Sequence, residues 1–284
     1  MNKMLFRKYK YPLIALFTAS LSILNINCKD NGNSEINYNP NVLASKDYIY
    51  AEDIYFDIFN VFFQAVTDTG IYYHNWQWIE NCSVQKLDNE NVLHFHYGSV
   101  NRECPDGKFR RGTYYAYIDG VIFSEGSVAN IVTDSLFVDD ELVETQIEIR
   151  NLGSNITGKP GYTFKVTGGN ITRDDTSQVR IIQFNSDFLI SWQEGIFTDN
   201  HSDDLLFVTG SSWGKSSQGY DFAVTVQDTI YDYISCNWLD RGTHQIIVPS
   251  GDYTTGTIDY ITEDDCNRQV NFYFNQNLFY DFLK

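Results

Sequence analysis

Residues 128–150 read VANIVTDSLFVDDELVETQIEIR, and two segments within them, 128–138 and 142–150, run at a period of two. In the second, Val143, Ile147 and Ile149 alternate with Glu144, Gln146 and Glu148. Successive side chains of a pleated strand point to opposite faces, so each segment predicts one half-buried strand. Similar runs lie on both sides, at 92–97, 111–118, 162–166, 179–182, 188–192, 205–209, 220–226, 245–248, 255–260 and 270–274. Turn residues punctuate them at Asp106-Gly107, Asp119-Gly120, Gly168-Gly169, Ser217 to Gly219 and Ser250-Gly251. Strands at this spacing with no helix between them predict an all-β fold, an antiparallel meander or sandwich-like sheets. The 16% of aromatic residues fits pleated surfaces. One segment breaks the pattern. Between Ala51 and Thr67, Ile54, Ile58, Val61, Phe62 and Ala65 recur at helical spacing, which predicts an N-terminal helix covering one face of the sheet. Ser45 or Asp47 begins it on this reading, and Gly70 ends it.

The chain opens differently. Lys3, Arg7, Lys8 and Lys10 precede an apolar run from Pro12 to Leu24, the pattern of a signal peptide over residues 1–27. The run is shorter than the roughly 20 residues needed to span a bilayer as a helix. Leu24-Asn25-Ile26-Asn27-Cys28 puts a cysteine where a lipoprotein signal ends, so Cys28 is expected to carry a lipid. Residues 28–46 then form a flexible tether, beginning with Lys29-Asp30-Asn31-Gly32-Asn33-Ser34-Glu35, and 47–284 form the β-rich domain. Charged residues just after the cysteine resemble the export signals of Bacteroidota surface lipoproteins. The expected location is therefore the outer membrane, lipid-anchored and facing outward, with the membrane itself as a partner.

The formal net charge is −17, and removing four cations with residues 1–27 takes it to −21. Phosphate backbones need clustered Lys and Arg, so nucleic acid is excluded as a partner. The one basic cluster of the mature part, Lys108, Arg110 and Arg111, reads as an exposed strand end.

Four cysteines follow Cys28: Cys82, Cys104, Cys236 and Cys266. An even number in an exported chain predicts disulfides. None sits in a C-x2-C pair, and no nearby His completes a zinc set. Four cysteines allow three connectivities, but the two halves of the chain resemble each other. Each has a cysteine, a hairpin-length segment, an alternating strand ending in Tyr97 or Tyr260 within it, a polar loop and a second cysteine. The parallel suggests Cys82 with Cys104 and Cys236 with Cys266, in two related units of about 71–170 and 171–284.

Several motifs taken together are similar to a family of uncharacterised Bacteroidota cell-envelope lipoproteins. They are Cys104-Pro105-Asp106-Gly107-Lys108-Phe109-Arg110-Arg111-Gly112, Gly126-Ser127-Val128, Trp192-Gln193-Glu194-Gly195, Asp203-Asp204, Val208-Thr209-Gly210, Thr257-Ile258-Asp259-Tyr260 and Cys266-Asn267. The resemblance spans most of residues 48–275. It implies an envelope lipoprotein of this fold class, and it supplies no activity.

No catalytic constellation emerges. No Ser sits in a G-x-S-x-G elbow, and 37 acidic residues offer too many pairs to choose a glycosidase couple. No cofactor motif appears. His94 and His96 share a strand face, as exposed strand histidines do. Asp199, Asp203 and Asp204 have oxygen ligands enough for Ca²⁺ but lack the EF-hand pattern, and read as a solvated hairpin tip. Trp213, in Gly210-Ser211-Ser212-Trp213-Gly214-Lys215, reads as an exposed loop ring on which a sugar stacks. The expected role is structural or ligand-binding at the surface, toward a glycan or an envelope protein; a glycan-acting hydrolase is the rival.

Overall fold

The protein is described by a computed structural model over residues 39–68, 71, 74–79, 81–87, 91–175, 178–196, 198, 201–236, 238–260, 266 and 269–282. The signal peptide, Cys28 and the first part of the tether lie outside these residues.

The helix α1 spans Pro40–Thr67. Asn39 caps it, its side-chain oxygen accepting from the Asn41 amide at 2.9 Å, and Pro40 occupies the first position, where a missing N–H costs nothing. Asn41 clasps a distant loop through its side chain, accepting from the Tyr253 amide (3.1 Å) and donating to the Tyr253 carbonyl. These long-range bonds extend the helix through residues 40–46, which were expected as tether. At the other end the Thr67 hydroxyl returns to the Phe63 carbonyl and the Asp68 amide to that of Gln64.

Among the described residues there are fourteen strands, each antiparallel to the next, in one meander. The first seven are β1 (Trp76–Ile79), β2 (Cys82–Lys86), β3 (Val92–Glu103), β4 (Phe109–Asp119), β5 (Val128–Val138), β6 (Glu141–Ser154) and β7 (Pro160–Asp175). The rest are β8 (Gln178–Glu194), β9 (Leu205–Lys215), β10 (Asp221–Tyr233), β11 (Arg241–Ile247), β12 (Thr255–Tyr260), β13 (Gln269–Phe274) and β14 (Asn277–Phe282). The proposed unit boundary near 170 falls inside β7, so the sheet runs through it without a break.

Of the 28 helix residues, 20 are buried, and they lie on every side of the axis. The helix therefore does not cover one face of a flat sheet, because the sheet bends around it. Tyr48 meets Phe184 of β8, Phe222 of β10 and His244 of β11. Phe56 meets Phe164 of β7 and Phe188 of β8, and Phe63 meets Tyr162 and Trp192. Burying each such side chain is worth about 1.5–3 kcal/mol, so this aromatic sleeve is the main cohesive element. Gly169 permits a close approach of α1 to the sheet: a Cβ there would lie 2.5 Å from the Tyr55 hydroxyl oxygen. Strand alternation sets the faces, as in β8, where Ile182, Phe184, Phe188, Ile190 and Trp192 point inward.

Cys236 and Cys266 form a disulfide across 30 residues, a loop whose closure contributes on the order of 3 to 4 kcal/mol. Cys82 and Cys104, expected as a second bridge, are buried free thiols. A bridge needs Cβ atoms about 3.8 Å apart and facing. Here the Cys104 sulfur turns to the Arg102 carbonyl (3.7 Å) and that of Cys82 to the Ser83 carbonyl (3.9 Å). Burial pushes the Cys82 thiol up to about 12, so it is no nucleophile at neutral pH.

Candidate functional site

The β3–β4 turn and the loop after β10 line one small cavity over one side of α1. The turn is closed by the Gly107 amide on the Cys104 carbonyl and the Cys104 amide on that of Lys108, both 2.9 Å. It aims Lys108 and Arg110 inward, where they are 2% and 1% exposed. This corrects the reading of the basic cluster as an exposed strand end. Only Arg111, one step out of phase, faces outward, over the Phe137 ring at 3.9 Å. The inward pair is demanded by Asp53 and Asp57, four residues apart on the helix. Lys108 Nζ lies 2.5 Å from Asp53. Arg110 bonds Asp57 through Nε (3.1 Å) and grips both oxygens of Asp106 at 2.9 and 2.5 Å.

Three carboxylates thus face two cations, and Asp232 of β10, 1% exposed, adds a fourth. Its Oδ2 and the Oδ1 of Asn60 have no hydrogen-bond partner among the described residues. Burial raises the Asp232 carboxyl to about 7, against a bond from Asn60, and Asp53 adds to the rise. Burial likewise raises Asp53 to about 6 despite Lys108. Burial also works to raise Asp106, but Arg110 and Lys108 overcome it and hold it below the usual carboxylate range. These perturbed acids are the kind that catalysis employs. The cavity they share measures about 30 Å³, room for one water and not for a sugar ring.

A second interior group is equally closed. Glu52 accepts from Tyr48 (2.5 Å) and from Tyr260, and stands 3.3 Å from His244 Nε2. All four are at most 3% exposed, so the group ties α1 to β11 and β12 and reaches no solvent.

The residues singled out in the sequence do not converge. Asp199 lies outside the described residues. Asp203 accepts from the Thr198 hydroxyl at 2.8 Å, whereas Asp204 is buried against Trp192 Nε1 (3.3 Å) and His201 Nδ1 (3.1 Å). Among the described residues no His, Cys, Asp or Glu group is arranged to hold a metal. Trp213 sits within β9, not in a loop; it is 46% exposed, between Asn185 and Ala223 in register. His94 and His96 do face outward, His94 stacking on Tyr115 with its Nε2 on the Thr113 hydroxyl at 2.7 Å.

An adjacent pair of equally exposed rings lies elsewhere. Trp76 and Trp78, two apart on β1, project from the outer face at 44% and 47% exposure. Their centroids are 5.8 Å apart and their planes nearly perpendicular. Trp76 Nε1 donates to the Ser83 hydroxyl at 2.9 Å, and the Arg102 guanidinium caps Trp78 at 5.2 Å. The register continues the face: Trp76 opposes Gln85, then His94, then Tyr115, while Trp78 opposes Ser83, then His96, then Thr113. The Trp76-Gln77-Trp78 alternation was the sequence signal for this face.

Comparison with protein families, curated proteins and solved structures finds no match for this chain.

Proposed function

We propose that the chain is a cell-envelope lipoprotein, anchored through Cys28, whose domain retains a glycan on the outer sheet face at Trp76 and Trp78. The observation carrying this reading is the pair of indole rings held open to solvent beside polar, hydrogen-bonding neighbours. Water-exposed indoles gain by stacking on the C–H face of a sugar, and Gln85, His96 and Arg102 supply groups for its hydroxyls. The basic n-region, the apolar run and Cys28 support the anchored location. Hydrolysis at the buried acids Asp53 and Asp232 is disfavoured because they share a cavity of about 30 Å³, too small for a glycosidic substrate.

A glycan array read with the wild type and with Trp76→Ala/Trp78→Ala tests the reading. Loss of one or both rings is expected to weaken retention roughly tenfold, with thermal stability unchanged because both rings are half exposed. Equal retention by the two proteins defeats the proposal. Trp213→Ala serves as the comparison for a solitary ring. Mass spectrometry of the mature N-terminus reads the lipid on Cys28 directly.

A further inference from the structure

A pocket of about 300 Å³ opens beside the N-terminal half of α1, and it shares no residue with the Trp76–Trp78 face. Four separate parts of the chain line it: the helix, the β7–β8 hairpin, the β9–β10 turn and the end of β14. We infer that it is a binding site for one neutral polyhydroxylated ring, of the size of a single pyranose. The ligand class rests on the glycan reading; the site itself stands on its own geometry.

The walls are charged, and four of the charged groups, Lys46, Asp47, Arg173 and Asp281, are matched within the protein. Arg173 is held by Asp47 at 2.6 Å and by Glu141 at 2.8 Å, and lies 4.6 Å over the Tyr50 ring. The other oxygen of Asp47 accepts from the Ser217 amide at 2.7 Å. Lys46 pairs with Asp281 at 3.1 Å across the rim. Groups pinned in this way present donor and acceptor edges at fixed positions and call for no counter-ion. A chain of net charge −17 also repels anions from a distance. An apolar ligand would strip water from these groups and return nothing. Hydroxyls both donate and accept, so a polyol meets both kinds of edge, and the exposed Phe282 ring offers a surface for its C–H face. The volume is at the small end of ligand sites, which limits the occupant to about one ring.

The test uses saturation-transfer NMR with glucose, galactose, mannose and N-acetylglucosamine, each added alone to the purified protein. Gln218→Ala and Phe282→Ala alter exposed lining residues, and a thermal melt confirms that each variant folds. At least one sugar is expected to receive saturation, with affinity reduced roughly threefold to tenfold in each of these variants and unchanged in Trp76→Ala/Trp78→Ala. Transfer that vanishes only in the tryptophan variant overturns the pocket and leaves the outer face as the glycan site. No transfer to any of the four sugars also overturns the pocket, and the array result for the tryptophans is untouched by it.

Discussion

Replacing Asp232 by Asn isolates one buried acid and asks whether the fold suffers from its charge. Burial holds this carboxyl near 7 instead of 3.8. In the unfolded chain it ionises from about pH 4 upward, while in the fold it keeps its proton to about pH 7. The folded state therefore binds more protons across that window, and stability falls as pH rises through it. At about 1.4 kcal/mol per pH unit, the full loss is roughly 4 kcal/mol, complete above pH 7. Asn keeps the shape and the bond to Asn60 without the ionisation. Urea unfolding of both proteins between pH 4 and pH 8 reads the difference. The variant is expected to gain on the wild type steadily across the window and to be the more stable by a few kcal/mol at pH 8. Asp53, raised to about 6, tilts both curves in the same direction; because it adds to the rise of Asp232, part of the variant's gain is the release of that repulsion. Parallel curves, or an Asn variant weaker than the wild type at pH 8, would refute the reasoning and show Asp232 acting as a paired carboxylate.

Two further perturbations probe the interior. Arg110→Ala strands Asp57 and Asp106 without their shared cation and is expected to cost about 3–5 kcal/mol in urea unfolding, whereas Arg111→Ala, on the outer face, is expected to change stability by less than about 1 kcal/mol; similar values for the two would contradict the inward orientation of Arg110. Tyr260→Phe removes one donor from buried Glu52 and is expected to cost about 1–3 kcal/mol, seen as a lowered urea midpoint with an unchanged slope; no change would mean that Glu52 does not depend on that bond.

Most strands were legible because their alternation is local: runs such as 142–150 declare their faces without reference to any partner, whereas β1, β2 and β14 were not read and 179–182 and 188–192 are one strand, β8. The helix was legible in its second half, where apolar spacing is dense. It was cut short at its start because the determinant there is Asn41 bonding to Tyr253, far away in the chain. Its enclosure on all sides was hidden for a related reason. Nothing local to Asp53 and Asp57 in the sequence says that Lys108 and Arg110 meet them. Those two cations were misread because a cluster of positive residues normally seeks water, and only a matching pair of buried acids reverses that preference. The Trp76–Trp78 face was present in the sequence as an alternating triplet, but its outward direction depends on β1 pairing with β2. The parallel between the two halves of the chain suggested the bridge that forms, Cys236 with Cys266. It could not reveal that the sulfurs of Cys82 and Cys104 turn to backbone carbonyls.

The meander dictates an order of assembly on the ribosome. Each strand bonds only to its neighbours in the chain, so hairpins can zip up successively as synthesis proceeds, with α1 already made before the first of them. Yet the helix clasps Tyr253 and Tyr260, which are 212 and 208 residues beyond their partners Asn41 and Glu52. Nascent chains stalled before β12 therefore leave one flank of α1 bare, and limited proteolysis of such chains should cut at the helix until residue 260 has emerged.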